Sequence, residues 1–283
     1  MDRKTFFIDL DGTLLTKDKR VTDRTRGALD KVLKAGHKLV ICTGRCVGWF
    51  PRFVPDTPIR YVIGSNGAHI YDLKEKKSIY QNPIDTDKLI EVIRAATRPG
   101  VYFHFSADDN AFATEHTRDD ISTFRYTTYI GDENLEEWLR TVNVYQVNFI
   151  TYDLEECRKL RDDLIAQGLI GDDSDMPISN QSKPLSDPKY PVNNYTFFEI
   201  NKGGCNKGVA VKKFCELFNV KFENTVAIGD DKNDRRMFSA VSYKVAMGNG
   251  LQEIRDLADR VIGTNSEDGV AEYLEKYWTD EVK

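Results

Sequence analysis

The amino-acid sequence predicts an α/β protein whose parallel-sheet core is interrupted by a smaller α+β module. Three observations lead there. Short apolar runs alternate with helical patterns over residues 1–82, the same alternation returns after residue 200, and between them the strands are joined by hairpin turns. The core is expected at 1–82 and 201–283, and the inserted module at 83–200.

The first apolar run, Phe6-Phe7-Ile8, stops at Asp9-Leu10-Asp11-Gly12-Thr13. Such runs suit strands buried on both faces, and in open α/β sheets chemistry sits just past their carboxyl ends. Thr22 caps a helix whose apolar positions are Ala28, Leu29, Val32 and Leu33, with Gly36 as its stop. A second strand at 38–42 ends in Thr43-Gly44-Arg45, and a third at 61–63 runs into Gly64-Ser65-Asn66-Gly67. Residues 69–71 and 78–80 read as a hairpin.

From Pro83 the pattern changes. A helix at 89–96 precedes strands at 101–105 and 111–113, joined by an Asp108-Asp109-Asn110 turn. A strand at 144–151, an amphipathic helix at 154–166, a polar, proline-bearing loop at 175–193 and a strand at 196–200 follow. After Gly203-Gly204 a helix at 209–218 and strands at 225–228, 243–247 and 260–262 restore the first pattern.

A net charge of −5 gives no general basic face for nucleic acid, while leaving room for a local anion site. The five cysteines form no CxxC pair and no regular framework, which reads as reduced thiols in a cytoplasmic protein. The first apolar run is broken by Asp9 and Asp11, so neither a signal peptide nor a membrane span is expected. Nothing points to an obligate protein partner.

At the core's strand ends stand Asp9 and Asp11, Thr43, and Asp230 and Asp234, while Lys207 opens a helix. Carboxylates from separate strands suggest a hard divalent cation, with magnesium favoured by oxygen ligands. Thr43 offers a hydroxyl, and Lys207 a fixed positive charge, to a phosphoryl oxygen. Together these are parts for phosphoryl transfer.

The chain resembles the haloacid dehalogenase superfamily, in its branch of Cof-type sugar-phosphate phosphatases with a large C2-type α/β cap. The resemblance rests on Asp9-Leu10-Asp11-Gly12-Thr13-Leu14-Leu15, Thr43-Gly44-Arg45, Ser65-Asn66-Gly67-Ala68, Asn206-Lys207-Gly208, Gly229-Asp230-Asp231-Lys232-Asn233-Asp234, Val245-Ala246-Met247-Gly248-Asn249 and Glu267-Asp268-Gly269-Val270-Ala271. It implies a Rossmann-like core and a cap that closes over it to choose the leaving group. It implies a Mg²⁺-dependent phosphatase of small phosphorylated metabolites, usually sugar phosphates. Asp9 would be the nucleophile forming an aspartyl-phosphate, and Asp11 the acid and base, with its carbonyl on the metal. Asp230 would be a direct metal ligand and Asp234 would hold metal-bound water. Thr43 and Lys207 would stabilise the phosphoryl oxygens, and Gly12, Gly44, Arg45 and Asn233 would line the phosphate or substrate. For the acid role the site of Asp11 must raise its pKa above the ~3.9 of a free Asp. Asp231 departs from the small residue such phosphatases often carry.

Other readings stay open at this stage. Arg45 reaches substrate or makes a structural ion pair, Asn233 touches phosphate or caps a helix, and Asn66 is read as a turn former. Gly248-Asn249-Gly250 reads as a turn, and His37, His69, His104 and His116 as structural. A sugar phosphomutase would use the same nucleophile, and release of free phosphate separates the two. A phospho-Asp signalling module would lack the Asp11 acid and so large an insertion. A dehalogenase would have no use for an acid when halide departs.

Overall fold

The computed structural model describes residues 3–50, 54, 58–114, 127–171, 178–184 and 192–278. The chain forms two compact units, Met1–Gln81 with Gly204–Lys283, and Asn82–Gly203. The first unit opens with β1 (Thr5–Asp9), α1 (Asp23–Lys34), β2 (Lys38–Cys42), β3 (Tyr61–Gly64), β4 (His69–Asp72) and β5 (Lys77–Gln81). The second contains α2 (Thr86–Ala96), β6 (Tyr102–Ala107), β7 (Asn110–Thr114), β8 (Thr128–Ile130), α3 (Leu135–Leu139), β9 (Val144–Thr151), α4 (Leu154–Ala166), β10 (Ser179–Pro184) and β11 (Val192–Asn201). The chain then returns to the first unit with α5 (Lys207–Leu217), β12 (Thr225–Gly229), α6 (Asp234–Phe238), β13 (Tyr243–Ala246), α7 (Gln252–Leu257), β14 (Arg260–Val261) and α8 (Gly269–Tyr277).

The sheet of the first unit has the order β14-β13-β12-β1-β2-β3-β4-β5. It is parallel from β14 to β3 and ends in an antiparallel β4–β5 hairpin. Alternation in the strands decides which residue meets which layer. Phe6, Ile8, Leu39 and Ile41 pack with Ala28 and Leu29 of α1 and Val270 and Leu274 of α8. Phe7, Val40 and Cys42 point the other way, onto Ala210 and Phe214 of α5, Met237 and Phe238 of α6 and Ile254 of α7. Each such side chain buried stabilises by about 1.5–3 kcal/mol, so β1, apolar on both faces, is fixed in depth and register. That register sets Asp9 and the loop after it at the carboxyl edge of the sheet, between β12 and β2. Thr22 caps α1 as expected, its hydroxyl accepting from the Thr25 N–H.

The second unit has a six-stranded sheet of order β10-β11-β9-β6-β7-β8, antiparallel except where β7 meets β8. Phe103, Phe105, Val147, Phe149 and Phe198 share an apolar core with residues of α2, α3 and α4. The Asp108 turn is present, with φ +47° at Asp108. One expectation is corrected here. Of the loop expected at 175–193, residues 179–184 are β10, paired with β11 from Ser179↔Phe197 to Pro184↔Val192. A strand at the sheet edge needs no alternating apolar residues and tolerates a terminal proline, so its polar sequence concealed it. Residues 175–177 and 185–191 of that loop, and His116, lie outside the described residues. The short β8 and α3 were not anticipated.

His37 accepts from the Lys4 N–H, His69 pairs with Ser78, and His104 with Asn148, so these three serve structural contacts. Among the described residues the five cysteines are free thiols, three of them buried. No helix among the described residues is long and apolar enough to cross a membrane.

Candidate active site

Asp9 ends β1, 5% exposed. Asp230 follows β12, the neighbouring strand, and Asp234 opens α6 one turn later. One carboxylate oxygen from each of Asp9, Asp230 and Asp234 lies within 4.8 Å of the other two. Lys207, the first residue of α5 and fully buried, reaches into this group. Its Nζ donates to Asp9 Oδ1 at 2.6 Å and to Asp234 Oδ1 at 2.7 Å. The other oxygen of Asp234 accepts from the Asp230 and Asp231 N–H groups at 2.9 and 3.2 Å. Asp234 is thereby held on both oxygens, and it in turn orients Lys207.

The electrostatics follow from burial. Three carboxylates share one buried cation. Burial, followed by the charges of Asp234 and Asp230, outweighs the pull of Lys207 and raises Asp9 well above the usual carboxylate range. Burial also pushes Asp230 up to about 7, against a lowering hydrogen bond from Thr13. Lys207 stays protonated despite its burial, because Asp234 and Asp9 face it.

The loop after β1 is shaped by Gly12. Its φ is +84°, and a Cβ there would lie 2.2 Å from Asp230 Oδ2, so only glycine lets the two strand-end loops meet this closely. Beside it, the buried Thr13 donates its hydroxyl proton to Asp230 Oδ1 at 2.7 Å.

Asp11 lies in a second group. Arg45 grips its carboxylate with two hydrogen bonds, at 2.5 and 2.7 Å, and Lys19 adds a third. The expectation of a raised pKa is overturned in this state of the protein. Burial alone would raise Asp11, but the hydrogen bonds and charge of Arg45, then those of Lys19, outweigh it and hold the carboxyl far below the usual range. For Arg45, the ion-pair alternative is therefore the one realised here.

Thr43 is buried at the end of β2, with its N–H donating to Ile63 O and its hydroxyl accepting from the Arg45 N–H at 3.1 Å. Gly44 runs past Asn66, whose Oδ1 would lie 3.0 Å from a Cβ on that glycine. Asn66, with φ +53°, donates its N–H to Thr43 O, and its Oδ1 faces Asn233 Nδ2 at 3.5 Å. Asn233 precedes α6 without a side-chain capping bond, so the helix-cap alternative is not what its side chain does. Asp231 accepts from the Lys232 N–H through its Oδ1 at 2.7 Å.

The structure thus brings Asp9, Lys207, Asp230 and Asp234 into direct contact or mutual reach, and places Asp11, Arg45 and Thr43 beside them on the same sheet edge. Thr13 and Lys19 were missed as site residues in the sequence. Thr13 lies inside the first motif and could have been found by its place next to Gly12; Lys19 carries no such signal.

The donor set fits a divalent cation of the magnesium kind. It is all hard oxygen, and three carboxylates stand against the single charge of Lys207.

Residues 6–274 match the family described as haloacid dehalogenase-like hydrolase. The 5-amino-6-(5-phospho-D-ribitylamino)uracil phosphatase YitU of Bacillus subtilis is 28% identical over 99% of this chain and 100% of its own. The pyridoxal phosphate phosphatase YbhA of Escherichia coli is 26% identical over 97% of this chain and 98% of its own. The crystal structure of TM0651 from Thermotoga maritima matches all of both chains with a TM-score of 0.76 at 24% identity.

Proposed function

The chain belongs to the haloacid dehalogenase-like hydrolases, in the Cof-type branch with a C2-type cap, and from that premise we propose a Mg²⁺-dependent hydrolysis of sugar phosphates through an aspartyl-phosphate on Asp9. As a member it is a phosphatase of small phosphorylated metabolites; the substrate, the metal and the residue roles are our reading. What carries it is the gathering of oxygens from Asp9, Asp230 and Asp234 within 4.8 Å of one another, with buried Lys207 bonded to the first and the last.

In this reading Asp9, Asp230 and the Asp11 carbonyl would hold Mg²⁺, and Asp234 would hold metal-bound water. When bound, the ion neutralises charge on the phosphoryl oxygens and keeps Asp9 ionised. The free oxygen of Asp9 attacks phosphorus, the P–O bond to the leaving alcohol breaks, and Asp11 gives that oxygen a proton. Water then attacks the aspartyl-phosphate, losing a proton to Asp11, and inorganic phosphate leaves with Asp9 restored. Lys207 orients Asp9 throughout, and Thr43 and Asn233 donate to the equatorial oxygens. Gly12 and Gly44 let backbone N–H groups approach the phosphoryl group without a side chain in the way.

The choice of a sugar phosphate rests on the polyol phosphate named in the substrate of the B. subtilis relative and on the branch resemblance. The inserted unit, Asn82–Gly203, is the part we assign to leaving-group choice. A panel of sugar phosphates, the phosphoribitylamino-uracil and pyridoxal phosphate, compared by kcat/KM with Mg²⁺, tests it. A sugar or polyol phosphate should lead; pyridoxal phosphate in front by tenfold would overturn the substrate choice. Asp9→Asn should be folded and inactive, and turnover in that variant would remove Asp9 as nucleophile.

A further inference from the structure

The loop between β1 and α1 carries Asp11 and Thr13, with Leu10, Leu14 and Leu15 buried in the core. The backbone bonds that flank Gly12 are Leu14 N–H to Asp9 O at 3.3 Å and Leu15 N–H to Leu10 O at 2.8 Å, and Thr16 and Arg20 close a turn further on. Gly12 stands at φ +84°. With no Cβ, Gly12 itself does little to restrain the orientation of its own carbonyl. The next residue, Thr13, donates its hydroxyl proton to Asp230.

Two asparagines from the far end of the chain hold the loop from outside. Asn249 Nδ2 donates to Gly12 O at 2.8 Å. Its Oδ1 accepts from the Asn265 N–H at 2.9 Å, so both ends of the amide are engaged and its orientation is determined. Asn265, 8% exposed, donates its own Nδ2 to Leu15 O at 2.7 Å. The turn bearing Asn249 is closed by Gly250 N–H to Met247 O, and the next residue, Leu251, donates to Asp230 O at 2.9 Å. One short segment therefore touches the Gly12 carbonyl and the backbone of Asp230.

We propose that Asn249, seated by Asn265, is a positioning residue: it holds the Gly12 carbonyl, fixes the path of the loop there, and so keeps Asp11 and Thr13 in their working places. The inference rests on the phosphatase reading of Asp11 and Asp230. The bond from Asn249 is exposed and its direct stabilisation is modest, but small displacements of reacting groups carry large rate penalties. The competing explanation is that Asn249 only fills a surface turn.

Asn249→Asp separates the two. The variant is isosteric and keeps the oxygen that accepts from Asn265, but it presents an acceptor where Gly12 O needs a donor. Turnover of p-nitrophenyl phosphate with Mg²⁺ and hydrogen exchange of the amides in residues 10–15 are measured for wild type, Asn249→Asp and Asn249→Ala. Both variants should lose about tenfold or more in kcat with KM within about threefold. Exchange should quicken at Thr13, Leu14 and Leu15 while β1 and β12 stay protected. Asn265→Ala should give the same local exchange signature with a lowered melting temperature. An Asn249→Asp enzyme with wild-type kcat overturns the proposal, as does faster exchange without loss of kcat, or exchange raised equally through β1. If the wild type itself turns over no phosphomonoester, the phosphatase reading fails, and the exchange result still decides whether the clamp on the loop exists.

Discussion

Replacing Lys207 with methionine removes the cation that bonds two buried carboxylates, Asp9 at 5% and Asp234 at 0% exposure. The methionine fills much of the space, so the change is mainly electrostatic. A carboxylate stranded in this way relieves itself by taking a proton. At pH 7 that costs about 1.4 kcal/mol for each pH unit above the ordinary value near 3.9, or about 4 kcal/mol for one carboxylate. The figure agrees with the roughly 3–5 kcal/mol lost when one partner of a buried ion pair is deleted. At pH 5 the same protonation costs only about 1.5 kcal/mol, so the loss should shrink as the solution is acidified. Guanidinium unfolding in EDTA at pH 7 and pH 5 measures both numbers. With a slope of about 4 kcal/mol per molar, the pH 7 midpoint should fall by about 1 M. Added Mg²⁺ should recover part of it, because a divalent cation supplies the missing charge. A variant within about 1 kcal/mol of wild type at pH 7 in EDTA would refute the reasoning, since the carboxylates would then not depend on Lys207.

Three further outcomes are expected. Asp230, pushed up to about 7 chiefly by burial, binds its proton more tightly folded than unfolded, so its contribution to stability is present near pH 4 and lost as the pH rises towards 7. In EDTA, the stability of wild type relative to Asp230→Asn should therefore fall by about 3 kcal/mol between pH 5 and pH 8, with Mg²⁺ rescuing only wild type; parallel melting curves across that range would contradict this. Gly12→Ala puts a Cβ 2.2 Å from Asp230 Oδ2 at φ +84°, and should cost about 1–3 kcal/mol and more than tenfold in turnover, read by melting temperature and kcat. Arg45→Met should let the Asp11 carboxyl titrate at higher pH than in wild type, followed by ¹³C NMR of the substrate-free protein; an unmoved titration would clear Arg45 of the role given to it.

The fold was legible because its core strands are apolar on both faces and end in residues of a different kind. The run at Phe6, the run before Thr43 and the run before Gly229 each stop at chemistry, and the sheet order brings those stops side by side. Lys207 was legible as a helix opener, though not as the partner of Asp234, because that pairing depends on how α5 meets α6. β10 was not legible: an edge strand can be polar throughout and lose nothing. The bond between Thr13 and Asp230 spans 217 positions, and the hold of Asn249 on Gly12 spans 237. Neither spacing leaves a mark on composition or period, and Asn249, judged locally, is only a turn residue. Lys19 reaches Asp11 from a turn in which its own φ is +58°, a conformation that nothing in its neighbours announces.

Asp11 poses the sharpest problem, because a general acid must carry a proton and this carboxyl is held ionised by two cations. The resolution lies in what holds it. Burial pushes Asp11 up, and only the grip of Arg45 and Lys19 reverses the sign. A guanidinium forks as well onto a phosphoryl group as onto a carboxylate, and a dianionic phosphate is the stronger claimant. Were Arg45 to leave Asp11 for an arriving phosphate, the larger of the two restraints would go and burial would regain control, so that the carboxyl acquires its proton when a leaving group is present to receive it. The upward titration expected in Arg45→Met isolates that step: it removes the restraint without the substrate. A protein in which Asp11 stayed fully ionised after losing Arg45 would need another source for the proton, and the acid role would have to move off Asp11.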